Sequence, residues 1–169
     1  ATNMFAPLDK NRIPHKVLLD YGFEYTNLKA YNGTLSDSTV VDVPTLKHIY
    51  NTIFSSRVTS ATTGFINPNN FDSNWKNRTA GTITVSGLYY KYNAFINDAI
   101  NLGKVNFVNN QFQDKFVSGV WQNPYQEFQA FAMAPAISKY EGLSFTVKIP
   151  STIFYSNYQS LVQSIQIDF

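Results

Sequence analysis

Thr82-Ile83-Thr84-Val85-Ser86-Gly87-Leu88-Tyr89-Tyr90-Lys91-Tyr92 is the stretch on which the fold turns. Ile83, Val85, Leu88, Tyr90 and Tyr92 suit a pleated, half-buried surface, and their alternation shifts once, at Gly87, where a bulge or bend is expected. The stretch reads as a strand. β character continues downstream in Val105-Asn106-Phe107-Val108, in Phe116-Val117-Ser118-Gly119-Val120-Trp121 and from Phe128 to Met133, with Asn109-Asn110 as a turn. Leu143-Ser144-Phe145-Thr146-Val147-Lys148-Ile149 alternates most cleanly, with Leu143, Phe145, Val147 and Ile149 on one face. Ile165, Ile167 and Phe169 alternate again at the end of the sequence. A chain that stops on a strand is expected to be part of something longer or to dock on a neighbour.

Upstream, Asp42 precedes Pro44, a residue favoured in a first helical turn. Leu46, Ile49, Tyr50, Ile53 and Phe54 then recur at i, i+3, i+4, i+7 and i+8, which predicts a helix with one apolar stripe. Its core is expected to be the sheet that holds Leu143 to Ile149. Arg57 suits the negative end of that helix. Asn93 is placed to cap a second helix with Phe95, Ile96, Ala99, Ile100 and Leu102 on its apolar face and Gly103 as its stop. Lys16 to Tyr21 is a short strand or a turn. Thr59 to Ala80 reads as loop, and a loop that long in one domain implies a functional or packed surface segment or a missed element. Residues 1–169 are read as a single domain, loop-rich and helical over 1–80 and strand-rich over 81–169. The fold class that follows is a β-dominated α+β fold, an antiparallel sheet or sandwich with one or two packed helices.

Composition narrows the function. Only 14% of the 169 residues are charged against roughly 25% in average soluble chains, while 44% are hydrophobic and 16% aromatic. Thirteen Lys and Arg against eleven Asp and Glu leave a formal charge of +2. The basic residues are scattered rather than gathered into a stripe, which disfavours nucleic acid as a partner. No apolar run is long enough for a transmembrane helix, and ATNMFAPLDK lacks the basic start and apolar centre of a signal peptide, so the chain is expected to be mature or cytosolic. Cysteine is absent, which removes disulfides, thiolate ligands and a thiol nucleophile together. Asn, Ser, Thr, Gln and Tyr take the place of Lys and Glu. Such neutral, hydrogen-bonding surfaces are common among exported β proteins, and an AT-rich genome produces the same bias.

Catalytic constellations are missing. His15 and His48 are the two neutral-pH bases, and neither lies in a nucleophile elbow or a metal-binding spacing. Asp98, Asp114, Glu127 and Glu141 are the carboxylates considered for a glycosidase pair, with Glu127 alone set among aromatics. Asn67 to Asp72 is oxygen-rich but holds one carboxylate, and the eight glycines do not cluster, so no cofactor, metal or phosphate site is expected. Trp75, Trp121, Tyr90 and Tyr125, with Tyr89 and Tyr92, are candidate stacking residues for a sugar ring, and their alternative place is the core. Asn32-Gly33-Thr34 and Asn77-Arg78-Thr79 are N-glycan acceptor patterns, and Asp37-Ser38-Thr39 is similar to the short O-glycan acceptor of exported Bacteroidota proteins.

Pro7-Leu8-Asp9-Lys10-Asn11-Arg12-Ile13-Pro14, Val17-Leu18-Leu19-Asp20-Tyr21, Tyr31-Asn32-Gly33, Ile49-Tyr50-Asn51-Thr52, Phe131-Ala132-Met133-Ala134-Pro135 and Ile149-Pro150-Ser151 leading to Ile165-Gln166-Ile167-Asp168-Phe169 together resemble the amino-terminal region of large exported surface proteins of flavobacteria and other Bacteroidota. The resemblance implies export to the cell surface, outer envelope or exterior, further β domains downstream and no enzymatic activity. It carries over no catalytic residue. The leading expectation is therefore a non-enzymatic structural or protein-interaction domain whose partners are other subunits or downstream domains, and glycans secondarily. The alternatives are a carbohydrate-binding module or glycan-processing domain, and a viral coat or fibre protein. An outer-membrane barrel is disfavoured by a first half without repeated alternating segments.

Overall fold

A computed structural model describes residues 4–19, 31–34, 40–60, 62–76, 79–137 and 139–164. In chain order its elements are α1 (Val43–Ser55), α2 (Pro68–Lys76), β1 (Thr82–Phe95), β2 (Val105–Val108), β3 (Gln111–Asp114), β4 (Phe116–Val117), β5 (Val120–Trp121), β6 (Tyr125–Pro135), β7 (Thr146–Lys148) and β8 (Phe154–Ser156). The fold is β-dominated α+β.

β1 is the axis. It pairs antiparallel with β6 from Val85↔Pro135 to Phe95↔Tyr125, and on its other edge it pairs parallel with β7 at Ile83↔Val147 and with β8 at Leu88↔Tyr155. The central sheet is thus mixed. Residues directly opposite share a face, so Leu88, Tyr90 and Tyr92 look the same way as Ala132, Ala130 and Phe128. That face carries the main core with α1 and α2. The alanines leave room for the rings opposite them: Tyr50 of α1 stacks on Phe71 of α2 at 4.1 Å and meets Tyr90 at 6.2 Å. The register passes through Gly87 unbroken, without the expected bulge. The glycine is required by packing, because a Cβ there would sit 2.8 Å from the Phe154 ring.

α1 forms as its sequence predicts. The Asp42 carboxylate accepts from Thr45 N–H at 2.8 Å, and Leu46, Ile49, Tyr50 and Ile53 are buried. At its far end Arg57 Nε donates to the Phe54 carbonyl at 2.8 Å while the guanidinium lies 3.5 Å from the centre of the Phe54 ring. The core of α1 differs from the expected one, however. Leu143 is fully exposed and Phe145 half-exposed, and only Thr146–Lys148 pairs with β1; α1 packs on β1 and β6 instead. The stretch read as loop contains α2, with Phe71 and Trp75 buried one turn apart. The helix expected after Asn93 is absent: β1 runs on to Phe95, turns follow with Asp98 at φ 58° and Gly103 at φ 67°, and Ile100 and Leu102 are exposed. The single strand read from Phe116 to Trp121 is two, β4 and β5. Val17 and Leu18 make isolated bridges to Arg57 and Asn93, and Asp20 and Tyr21 lie outside the described residues, as does the strand expected over Ile165 to Phe169.

Candidate functional site

β2 and β3 form a hairpin closed by Asn109 and Asn110 at φ 52° and 59°, and β4 and β5 form another closed by Ser118 and Gly119 at φ 50° and 80°. Two left-handed residues in a row are what a two-residue turn needs to match strand twist, and Asn and Gly take that conformation at least cost. Both hairpins flank a small second cluster of Leu8, Ala99 and Val105 with Phe5, Phe95 and Phe112 packed against it. A chain of ring contacts joins them: Phe107 to Phe112 at 4.8 Å, Phe112 to Phe95 at 4.6 Å, Phe95 to Tyr125 at 5.5 Å and Tyr125 to Trp121 at 6.2 Å.

Arg12 ties the amino-terminal segment to this end. Its guanidinium carbon lies 5.3 Å from the Phe116 ring centre and 5.4 Å from that of Trp121, and its Nε is 3.3 Å from the Asp9 carboxylate. The Asp114 carboxylate accepts from Asp9 N–H at 2.7 Å and from Trp121 Nε1 at 2.9 Å. Exposed large apolar side chains concentrate in this part of the chain, beside the exposed Asn101, Asn109, Asn110 and Ser118. Ile100, Leu102, Phe107, Val108, Phe116, Val117 and Val120 are between 41% and 64% exposed, and they are seven of the eleven exposed large apolar side chains among the described residues.

Of the four residues singled out for stacking on a sugar, Trp75, Tyr90 and Tyr125 are buried, and so are Tyr89 and Tyr92. Trp121 alone keeps part of its surface at solvent, beneath Arg12. Burial pushes the Tyr125 hydroxyl well up, and the neighbouring Asp114 and Asp9 charges add to it. Of the acids considered, Asp98 lies in a turn, Asp114 serves Trp121 and Asp9, Glu127 serves a different pair described next, and Glu141 is bound to Lys139 at 2.6 Å on the surface. His48 is exposed on α1. Among the described residues no group of three or more His, Asp and Glu could hold a metal ion.

One constellation has no local signal in the sequence, because its members lie 112 residues apart. His15 Nε2 is 2.7 Å from Glu127 Oε2, and Lys91 Nζ donates to Glu127 Oε1 at 2.8 Å, above the Tyr158 ring at 4.5 Å. Burial pushes the Glu127 carboxyl up, but the Lys91 and His15 hydrogen bonds and charges outweigh it and hold it below the usual carboxylate value; the same Glu127 bond raises Lys91. His15 and Lys16 both have left-handed backbones, φ 53° and 56°, a conformation that costs an L residue about 1–2 kcal/mol. They are held there by Asn93, whose Nδ2 donates to the Pro14 carbonyl at 2.5 Å and the Val17 carbonyl at 3.3 Å. Both oxygens of Glu127 are taken, one by the Lys91 ammonium and one by the His15 ring, so its chemistry here is to fasten the amino-terminal segment to β1 and β6.

No protein-family model, no curated protein and no solved structure matches the chain.

Proposed function

We propose that this chain is a non-enzymatic protein-interaction or building domain of an exported, cell-surface or outer-envelope assembly. The observation that carries the reading is the concentration of exposed apolar side chains on the two hairpins and the turn before them, residues 100–120. Seven such groups within twenty-one residues are more than scattered surface apolar residues require, and a subunit that meets its neighbours there has a use for them. The scarcity of charge supports it, since interface centres are depleted of Lys, Glu and Asp. Export rests on the resemblance to flavobacterial surface proteins and on the Asn-, Ser- and Thr-rich surface. No helix among the described residues is long and apolar enough to cross a membrane.

The test is site-specific photo-crosslinking in the producing cells, with a photoreactive residue at Val120 or, as control, at Lys139. Adducts with a protein neighbour from Val120 and not from Lys139, on a chain that external protease reaches in intact cells, are expected. No adduct, or a chain held in the cytoplasm, contradicts the reading. So does hydrolysis of any member of a glycan panel that is lost in Glu127→Gln.

A further inference from the structure

We propose that the neighbour on the β2 hairpin is a second copy of this chain, added edge to edge so that β2 of one copy pairs antiparallel with β2 of the other about a two-fold axis at Phe107. This rests on the interaction-domain reading and deepens it.

The backbone directions follow from the turn. In a two-residue hairpin the closing pair, Val108 and Gln111, exchanges its hydrogen bonds, so the next pair, Phe107 and Phe112, turns its N–H and C=O groups outward. Phe112 shows this directly, since its N–H donates outward to the Met4 carbonyl at 2.8 Å. The corresponding N–H and C=O of Phe107 face the other edge, where no backbone partner meets them among the described residues. A bare edge is a template for another strand, and monomeric proteins guard such edges with lysine, proline or a bulge. β2 has none of these. Val105-Asn106-Phe107-Val108 and the turn beyond it carry no charge, so an antiparallel copy meets no like charge.

A copy is favoured over a foreign strand because an antiparallel edge of this kind is its own complement. The pairing sets Phe107 opposite Phe107 with two main-chain hydrogen bonds, and Asn106 opposite Val108 twice. It joins the two hairpins into one four-stranded sheet, the order at which an isolated ribbon becomes stable. Ile100, Leu102, Phe107 and Val108, on this hairpin and the turn before it, are 41–61% exposed and give the pair apolar surface to bury beside the main-chain bonds.

The chain has no cysteine, so single replacements report the register without background. Paired strands bring the Cα atoms of Asn106 and Val108 about 4.5–5.5 Å apart, within disulfide reach, whereas Asn106 and its own counterpart stand on a diagonal of roughly 7–8 Å, beyond it. A mixture of Asn106→Cys and Val108→Cys chains should oxidise to a disulfide-linked dimer, and either variant alone should not. The unmodified chain should sediment as a dimer at micromolar concentration and dissociate on dilution. Phe107→Glu and Val108→Lys should each move that midpoint at least about tenfold higher, the effect of losing a central interface residue, with unchanged circular dichroism. A chain that stays monomeric, or that cross-links equally in the mixture and in either variant alone, overturns the proposal. If Val120 photo-adducts to another protein persist in that case, the interaction-domain reading stands and only the second copy is refuted. If both signals are missing, both readings fall.

Discussion

The hydroxyl of Tyr50 holds both backbone groups of Ile66, donating to its carbonyl at 2.7 Å and accepting from its N–H at 2.9 Å. One side chain of α1 thereby fixes the entry to α2 and aligns Phe71 for the stack on its own ring. Tyr90 repeats the device one segment earlier, donating to the Gly64 carbonyl at 2.9 Å.

Tyr50→Phe keeps the ring and removes both bonds. Leaving two half-buried backbone groups without their partner should cost about 1–3 kcal/mol. Tyr90→Phe, which orphans one acceptor, should cost less. Denaturant titrations of the two variants check the order, and equal losses would mean that the hydroxyls do not hold the segment.

Ile49 is fully buried under the sheet and Leu143 fully exposed, although sequence pattern places both in one core. Ile49→Ala should therefore cost about 2–4 kcal/mol, as core truncations do. Leu143→Ala should stay within about 0.5 kcal/mol, as surface changes do. A Leu143→Ala loss comparable to that of Ile49→Ala would restore the alternating strand as a core element.

That contrast shows what was legible. α1 was readable because its cap, its Pro44 and its stripe are all local, and the Asn109-Asn110 turn because left-handed residues announce themselves. The alternation of Leu143 to Ile149 is equally local, but alternation reports a face and not a partner. Only Thr146 to Lys148 finds one, on β1. α2 hid because its apolar stripe is two residues, Phe71 and Trp75, among Asn and Ser; Asn67 ahead of Pro68 was the signal available. Ser118-Gly119 marks the second hairpin, a signal masked by the β formers on both sides of it. The pairing of His15 with Glu127 depends on chain segments brought together from far apart and leaves no trace in any window of sequence.

Alkaline pH should unfold the protein before acid does comparable damage to its core. Burial pushes Tyr50 and Tyr92 up to about 12 and holds Tyr90 well above its ordinary value. A folded-state value above the unfolded one, about 10, gives stability that is complete below about pH 10 and lost as pH rises through about 12. Lys91, raised by its bond to Glu127, acts in the same direction above its ordinary value. Glu127 and Asp42, both lowered, act oppositely and lose their contribution as pH falls through the folded carboxylate values. In stability measured against pH, Tyr92→Phe should reduce the alkaline slope by up to about 1.4 kcal/mol per pH unit, the weight of one proton. An unchanged slope would mean that Tyr92 ionises alike in both states.

Asn93 is the residue on which the His15 site depends. It is 1% exposed, its backbone bonds Val17 and Leu19 on both sides, and its side-chain amide donates to the Pro14 and Val17 carbonyls around the left-handed pair His15 and Lys16. Two such residues in succession persist only where the surroundings over-determine them. Asn93→Ala removes the side-chain donors, orphans the Pro14 carbonyl while Val17 keeps its bond to the Asn93 N–H, and should cost roughly 1–3 kcal/mol. Asn93→Asp keeps the shape but offers only acceptors to two carbonyls and buries a carboxylate, so it should cost more than the alanine change despite filling the space. Hydrogen exchange should quicken first at Lys16 and Leu18, whose N–H groups bond to Ile13 and Ser56, and the His15 ring resonances should move toward those of a free side chain as the Glu127 contact loosens. If Asn93→Asp is tolerated better than Asn93→Ala, packing rather than the donated hydrogen bonds keeps this turn, and His15 is carried to Glu127 by the chain around it.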